Sequence, residues 1–246
     1  MMRDIWTVTW KEWLEQLHLG GGVRGAIVRV VLGVGILGVV WPWMIGTEFV
    51  TTYLSVAFAS LSTTMYVAAL IPDAFPGERE RHTLETLLAS RLPDAAILFG
   101  KMLAIVSYAW FAALLMLLLG LVTVNLTHKT PGFLMYQPRV ILAASLLSLL
   151  LAFAVAAVGS VFSIRAATVK QAQQMLSAGT LIVFLLPALI AQIEPGYLTR
   201  FIELFTKPGQ GATAAILFAV ACIVTTVVMT WIALLRFRRS RLILSD

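Results

Sequence analysis

The sequence predicts an all-α integral membrane protein, in which six transmembrane helices follow an amphipathic N-terminal helix at the membrane interface. Of its 246 residues, 60% are hydrophobic and only 12% are charged, whereas average soluble domains carry roughly 25% charged residues. Such a chain cannot cover a globule with polar surface, so it belongs to the membrane class. We expect residues 1–246 to form a single transmembrane domain.

Residues 1–22 are predicted to form the interfacial helix. Large apolar residues recur there at helical spacing: Trp6, Trp10, Trp13, Leu14 and Leu17. They form one tryptophan-rich face, and the charged residues lie on the opposite side. A helix of this kind lies in the plane of the lipid headgroups, and the three glycines at 20–22 end it before the first span.

Six apolar stretches are long enough to cross the bilayer, which takes roughly 20 residues of helix. Their approximate limits are Ala26–Gly46, Phe49–Ile71, Ala96–Val124, Val140–Ile164, Met175–Ile193 and Ala212–Leu235. Of the 18 lysines and arginines, all fall on one side of these spans except Lys129, Arg139, Arg200 and Lys207. Because the basic side normally faces the cytosol, we expect a multi-pass protein of the cell membrane with both termini cytosolic, including the tail at 236–246.

The predicted external segment at 194–210 reads EPGYLTRFIELFTKPGQ. It is a short amphipathic stretch with Pro-Gly near each end. Two interpretations stay open: short helices that re-enter the membrane edge as a gate, or a helix on the headgroups.

Several kinds of chemistry are missing from the sequence. There is no phosphate-binding G-x-x-x-x-G-K-[ST] loop and no recognisable metal-binding motif. No charged residue lies near the middle of a predicted span, which argues against a secondary transporter and a membrane enzyme. If the protein moves a solute uphill, the free energy must come from outside the chain.

Uncharged hydroxyls are present in the second and fifth predicted spans. The candidates for a substrate path are Thr52, Ser55, Ser62, Ser177 and Thr180. The alternative is that these small polar residues only support helix packing.

The densest charge lies between the second and third predicted spans, in a cytosolic loop at 72–95. Glu78 to Arg81 are four consecutive charges, which are too costly to bury in hydrocarbon. The pattern predicts a helix from Gly77 to Ser90, with Leu84, Leu87 and Leu88 on one face and with Arg81 paired to Glu85. The loop is interpreted either as a docking site for a partner or as a simple positively charged hairpin.

The segment GERERHTLETLLASRLPDAAILFGK resembles the first cytosolic loop of type-2 ABC exporter permeases, whose transmembrane domain is also described as type V exporter-like. The residues that fit are Glu78, Glu80, Thr83, Leu84, Glu85, Leu87, Leu88, Gly100 and Lys101. His82 stands where the family pattern commonly has glycine, and Pro93 follows two residues after the usual proline position.

The resemblance implies half of an exporter, in which two permease subunits, the same or related, pair with two cytosolic ABC ATPase subunits. ATP and Mg would be bound by the ATPase, and this chain would hold no cofactor, metal, catalytic residue or nucleic acid. The loop would be a coupling helix, and a second cytosolic loop at 164–174 would also face the ATPase. The implied contact residues are Glu78, Arg79, Glu80, Arg81, Thr83, Glu85, Arg165, Lys170 and Gln171.

The sequence therefore favours the permease subunit of an ATP-driven exporter that works by alternating access. One alternative is a membrane scaffold that uses the same ATPase for assembly or signalling without transport, and a secondary transporter is the other. The substrate is left open by the sequence.

Overall fold

The computed structural model describes residues 1–18, 33–83, 91–128, 132–194, 196 and 210–237. Within these ranges the regular structure is entirely helical. The helices are α1 (Met2–His18), α2 (Gly33–Ile45), α3 (Glu48–Thr51), α4 (Leu54–Leu70), α5 (Pro76–Glu80), α6 (Asp94–Thr127), α7 (Pro138–Arg165), α8 (Val169–Ile193) and α9 (Gln210–Arg236). A short 3-10 turn, Ile71–Asp73, joins α4 to the segment before α5.

Four helical stretches of the described chain are long and apolar enough to cross a membrane: Leu54–Glu80, Asp94–Thr127, Pro138–Arg165 and Ala215–Arg236. The apolar helix α2 is shorter, and the start of the predicted first span lies outside the described residues. The predicted fifth span falls within α8, which is helical over 25 residues. The protein is thus a multi-pass, helical membrane protein, while the count of six spans stays a prediction.

The second predicted span is broken near its start, which corrects the single helix expected from Phe49 onward. Helix α3 ends at Thr51, Thr52 is extended, and α4 begins at Leu54. The Thr52 hydroxyl donates to the Glu48 carbonyl at 2.7 Å and accepts from the Leu54 amide at 3.3 Å. By satisfying these backbone groups, the side chain stabilises a break that hydropathy alone does not reveal.

Helix α7 packs against α4, α6 and α9 and so forms the middle of the bundle. Its buried positions are mostly small, and they include Ala152, Ala156 and Gly159. A Cβ at Gly159 would lie 2.6 Å from the Ile71 side chain, so the glycine allows close approach of the turn that follows α4. Small residues allow membrane helices to pack closely, and this packing fixes the ends of α4, α6 and α7 relative to one another.

Candidate functional site

The charged stretch forms a much shorter helix than the sequence predicts. Helix α5 ends at Glu80, and His82 adopts a positive φ of 56°. The His82 amide donates to the Arg79 carbonyl at 3.0 Å, and the Thr83 amide donates to the Glu78 carbonyl at 2.9 Å. This is the Schellman pattern that ends helices.

The prediction of a helix from Gly77 to Ser90 is therefore wrong beyond Glu80 for the residues described. Arg81 pairs with Asp73 at 2.6 Å, rather than with the expected partner Glu85. Glu85 itself and the three leucines of the predicted apolar face lie outside the described residues.

Three consecutive side chains of α5 bind three different parts of the bundle. Glu78 is 3% exposed and contacts Lys101 of α6. Arg79 donates to the carbonyls of Ala166 at 2.9 Å and Ile164 at 3.3 Å. We call the segment 76–83, together with Lys101 of α6 and the α1 residues Lys11, Glu12 and Glu15, the charged junction.

The other two contacts of α5 cap helices. The two carbonyls bound by Arg79 belong to the last turn of α7 and the residue after it, where carbonyls lack partners within the helix and a positive charge is favoured. The Glu80 carboxylate accepts a hydrogen bond from the Val169 amide, the first residue of α8, at 2.9 Å. The first amides of a helix lack partners within the helix, and a negative charge is favoured there.

The centre of the charged junction is the ammonium group of Lys101, whose side chain is 2% exposed. It lies 2.6 Å from Glu12 Oε1 and 3.0 Å from Glu78 Oε1. Lys11 adds a half-exposed ammonium group, 3.3 Å from Glu78 and 3.0 Å from Glu15. The carboxylates of Glu12, Glu15 and Glu78 are close enough to hold a metal ion, but the two ammonium groups already neutralise much of their charge, so the cluster is described as ion pairs.

The Thr83 hydroxyl donates to the second carboxylate oxygen of Glu78. It also lies 3.3 Å from the Glu78 carbonyl. The residue after the left-handed turn therefore folds back onto the buried carboxylate, and Glu78 is held on both oxygens.

Helix α1 reaches the cluster because it lies directly along α6. A Cβ at Gly100 would be 2.5 Å from the Cβ of Val8, so only glycine allows this approach. The Thr9 hydroxyl lies 3.2 Å from the Gly100 carbonyl, and Trp13 donates to Ser107 at 2.9 Å. These contacts place the next inward-facing residue of α1, Glu12, beside the lysine that follows Gly100.

Burial dominates the electrostatics of Glu12. It raises the pKa of this carboxyl above its usual value, although the charge of Lys101 and its hydrogen bond act in the opposite direction. For Lys11, burial acts to lower the pKa, but the hydrogen bond to Glu15 and the charge of Glu78 outweigh it and the pKa is raised.

The remaining predicted contact residues lie around the charged junction. Arg81, Thr83, Arg165, Lys170 and Gln171 are all exposed. The Gln171 side-chain oxygen accepts from the Ala167 backbone amide at 2.9 Å, and the Gln171 backbone amide donates to the Thr168 hydroxyl at 3.2 Å. The second predicted loop is thus ordered by its own capping bonds and touches the first loop through Arg79 and Glu80.

Two of the predicted path residues do not reach the surface of the single chain. Ser55 and Ser62 are fully buried inside the bundle, and the Ser62 hydroxyl is without a partner among the described residues. Thr52 and Ser177 are exposed. The side chain of Thr180 lies outside the described residues.

Sequence reasoning missed Glu12 and Lys11 and gave Lys101 no role beyond matching a pattern. A usable signal was present, because Glu12 falls on the same side of α1 as Val8 and Ile5, away from the exposed tryptophans. A carboxylate on an inward face needs a buried cation, and the nearest charged residue on the neighbouring span is Lys101.

The family described as ABC-2 type transporter matches residues 3–203, a range that includes the whole charged junction. The chain belongs to the ABC-2 type transporter family. It is therefore a permease subunit of an ABC transporter. ABC-2 permeases are transmembrane subunits without an ATPase site of their own, and they normally pair with a cytosolic ABC ATPase. A comparison with curated proteins gives no match.

Proposed function

We propose that this ABC-2 permease is the membrane-spanning half of an ATP-driven exporter and works by alternating access. Two copies of a separate cytosolic ATPase would bind ATP and Mg and supply the free energy. The observation that carries the proposal is the direct contact between the two predicted ATPase-facing loops. Arg79 binds the end of α7, and Glu80 binds the start of α8.

The exposed residues around this contact provide the proposed ATPase surface. Both loops present charged or polar side chains there: Arg81, Thr83, Arg165, Lys170 and Gln171. Glu78 takes a different role from the one expected, because its carboxylate is buried against Lys101. We assign Glu78 to holding the loop in shape and the exposed residues to touching the ATPase.

The charged junction suits the transmission of force. Its hydrogen bonds and ion pairs connect α5 to α1, α6, α7 and α8, and the turn after α4 is buried beside it. When the ATPase moves the loop, the ends of these helices move together, which a flexible loop would not achieve. We place this face, both termini and the 164–174 loop in the cytosol, in agreement with the distribution of lysine and arginine.

The exposed side chains of helix α8 are our reason to propose a second permease subunit, the same or related. Large side chains along it are exposed: Met175, Leu181, Leu185, Leu189 and Ile193. Gln173, Gln174 and Ser177 are exposed as well. Polar groups at the membrane need partners, and a second subunit would provide them. Thr52 and Ser177 remain our path candidates because they are exposed in the single chain.

The test is purification of the tagged permease from its host membranes, followed by MgATP hydrolysis by the complex in lipid nanodiscs. We expect an ABC ATPase to co-purify. Lys170→Ala, or Arg165→Ala, should weaken that association, whereas Gln137→Ala, which lies in the connection before α7, should not. Recovery of the permease alone, under conditions that keep other membrane complexes intact, would contradict the proposal.

Transport by the complex separates an exporter from a scaffold. Proteoliposomes that contain the complex should move cargo from a lipid-soluble dye library only when MgATP is present on the ATPase side. ATP turnover without movement of any tested cargo would favour the scaffold.

A further inference from the structure

We propose that Lys101 and Glu12 are positioning residues that make α1 a moving part of the coupling machinery. Their buried ion pair fixes α1 to the ATPase-facing segment 76–83, so that a movement of this segment carries α1 with it. The inference rests on the proposed function, because it names the element that responds when the ATPase moves the loop.

The first step is that one ammonium group, that of Lys101, joins three helices. Lys101 comes from α6, and the two carboxylates that it binds come from α1 and α5, at 2.6 and 3.0 Å. All three groups are almost fully buried. Sliding any one element away would leave an unpaired charge in a poorly hydrated place, which is strongly unfavourable. The three elements are therefore constrained to move together.

The second step is that Val8 and Trp13 of α1 contact α6 rather than α5. Val8 packs on Gly100, and Trp13 bonds Ser107, so these contacts attach α1 to α6. The described ion pairs and hydrogen bonds that join α1 to α5 run through Glu78, directly from Lys11. Glu12 joins the same group through Lys101. These connections between α1 and the segment 76–83 are ionic, and they can be removed without emptying the apolar contact.

The third step is the free face of α1. Trp6 is 65% exposed and Trp10 is 59% exposed, and they point away from α6. Tryptophan is enriched at the membrane interface, so this face suits the lipid headgroups. One side of α1 is attached to the loop and the other side rests on the bilayer. A movement of the loop then becomes a movement of α1 along the membrane surface.

The experiment compares Glu12→Gln with Asp4→Asn in the purified complex in phosphatidylcholine nanodiscs. Both variants remove one carboxylate from α1, but Asp4 pairs with the amino terminus of the same helix at 2.9 Å and not with the charged junction. Spin labels at Thr7→Cys and Gln173→Cys, with the single native Cys222 replaced by alanine, report the distance from α1 to α8. ATP turnover is measured as kcat and as KM for MgATP.

We expect Glu12→Gln to broaden the distance distribution and to lower kcat several-fold, because the loop would move without carrying α1 with it. The KM for MgATP should not change, because the nucleotide is bound by the ATPase. Lys101→Gln should behave in the same way, and Asp4→Asn should resemble the wild type. If Lys101→Gln fails to reach the membrane, Glu12→Gln decides the question.

Two results would overturn the inference. One is a broadened distance with unchanged kcat, since α1 would then be only an anchor. The other is a lowered kcat with an unchanged distance distribution, because Glu12 would then act in another way. Failure of the wild-type chain to co-purify with an ATPase is a different outcome, since it removes the proposed function before α1 is tested.

Discussion

Replacing Lys101 by methionine removes the cation that neutralises two buried carboxylates. Removal of one partner from a buried ion pair usually costs roughly 3–5 kcal/mol. Glu78 would keep Lys11 at 3.3 Å, whereas Glu12 would keep only a 3.9 Å contact with the same half-exposed lysine. We therefore expect a loss near the lower end, about 3 kcal/mol, which corresponds to a decrease in Tm of about 6–12 °C for a chain of this size.

The pH dependence identifies the cause of this loss. Burial already raises the pKa of Glu12, and Lys101 is the largest influence that lowers it, so the pKa should rise further in Lys101→Met. When the folded-state pKa of a carboxyl lies above its unfolded-state pKa, the protein loses stability as the pH rises from the lower to the higher pKa. Below both pKa values the carboxyl causes no such loss. The deficit of the variant should therefore shrink as the pH falls from about 7.5 to about 5.

The assay is the thermal loss of the monodisperse peak of the detergent-solubilised protein on size exclusion, repeated at each pH. The matched control is Lys101→Met combined with Glu12→Gln. It should recover part of the lost Tm because the uncompensated charge is gone, in line with coupling of roughly 0.5–3 kcal/mol between contacting residues. A Tm deficit below about 2 °C, or one independent of pH, would refute the reasoning, because it would mean that Glu12 is not buried as a charge beside Lys101.

Four further predictions concern the surroundings of the charged junction. Gly100→Ala should cost about 1–3 kcal/mol, since its Cβ would lie 2.5 Å from a side-chain atom of α1; Gly35→Ala, whose Cβ meets nothing within 4 Å, should not lower the Tm, because alanine is the better helix former. His82→Gly should raise the Tm by the equivalent of about 0.5–1 kcal/mol because the φ of 56° favours glycine, and a lower Tm would contradict this. Thr168→Ala should cost about 1 kcal/mol in the first turn of α8, seen as faster amide hydrogen exchange there. Arg79→Met should create new sites of limited proteolysis between α7 and α8, and an unchanged digest would show that its two carbonyl contacts are dispensable.

Composition and hydropathy were sufficient to predict the helical membrane class and the positions of the long helices α6 and α7. These are long, nearly uncharged stretches, and the cost of exposing backbone groups to lipid leaves a helix as the usual solution. The break at Thr52 was not predicted, because it depends on one hydroxyl that satisfies two backbone groups. Hydropathy averages over many residues and does not register such a local choice.

The charged stretch shows a different limit of sequence reasoning. Its location between two spans and its resemblance to a family motif were within reach, but its length as a helix was overestimated and its contact with the second loop was not predicted. Periodicity favoured a helix through Ser90, whereas the turn at His82 depends on backbone bonds and on the bond from Thr83 to the buried Glu78 carboxylate. The sequence pattern also treats Glu78 as a surface charge, since it does not show that α1 brings a second carboxylate to the same lysine.

Net stability is a poor explanation for the buried ion pairs of the charged junction. The cost of taking three charges out of water offsets most of their attraction, and an apolar replacement of similar volume is often as stable. An ionic group fixes relative position more strictly than an apolar contact does, because a small displacement leaves a charge unpaired. On the proposed function, a permease driven by a separate ATPase would need its helix ends held in fixed relative positions where the ATPase acts on it. This makes the position of Lys101, between α1, α5 and α6, better suited to transmitting movement than to holding the fold together.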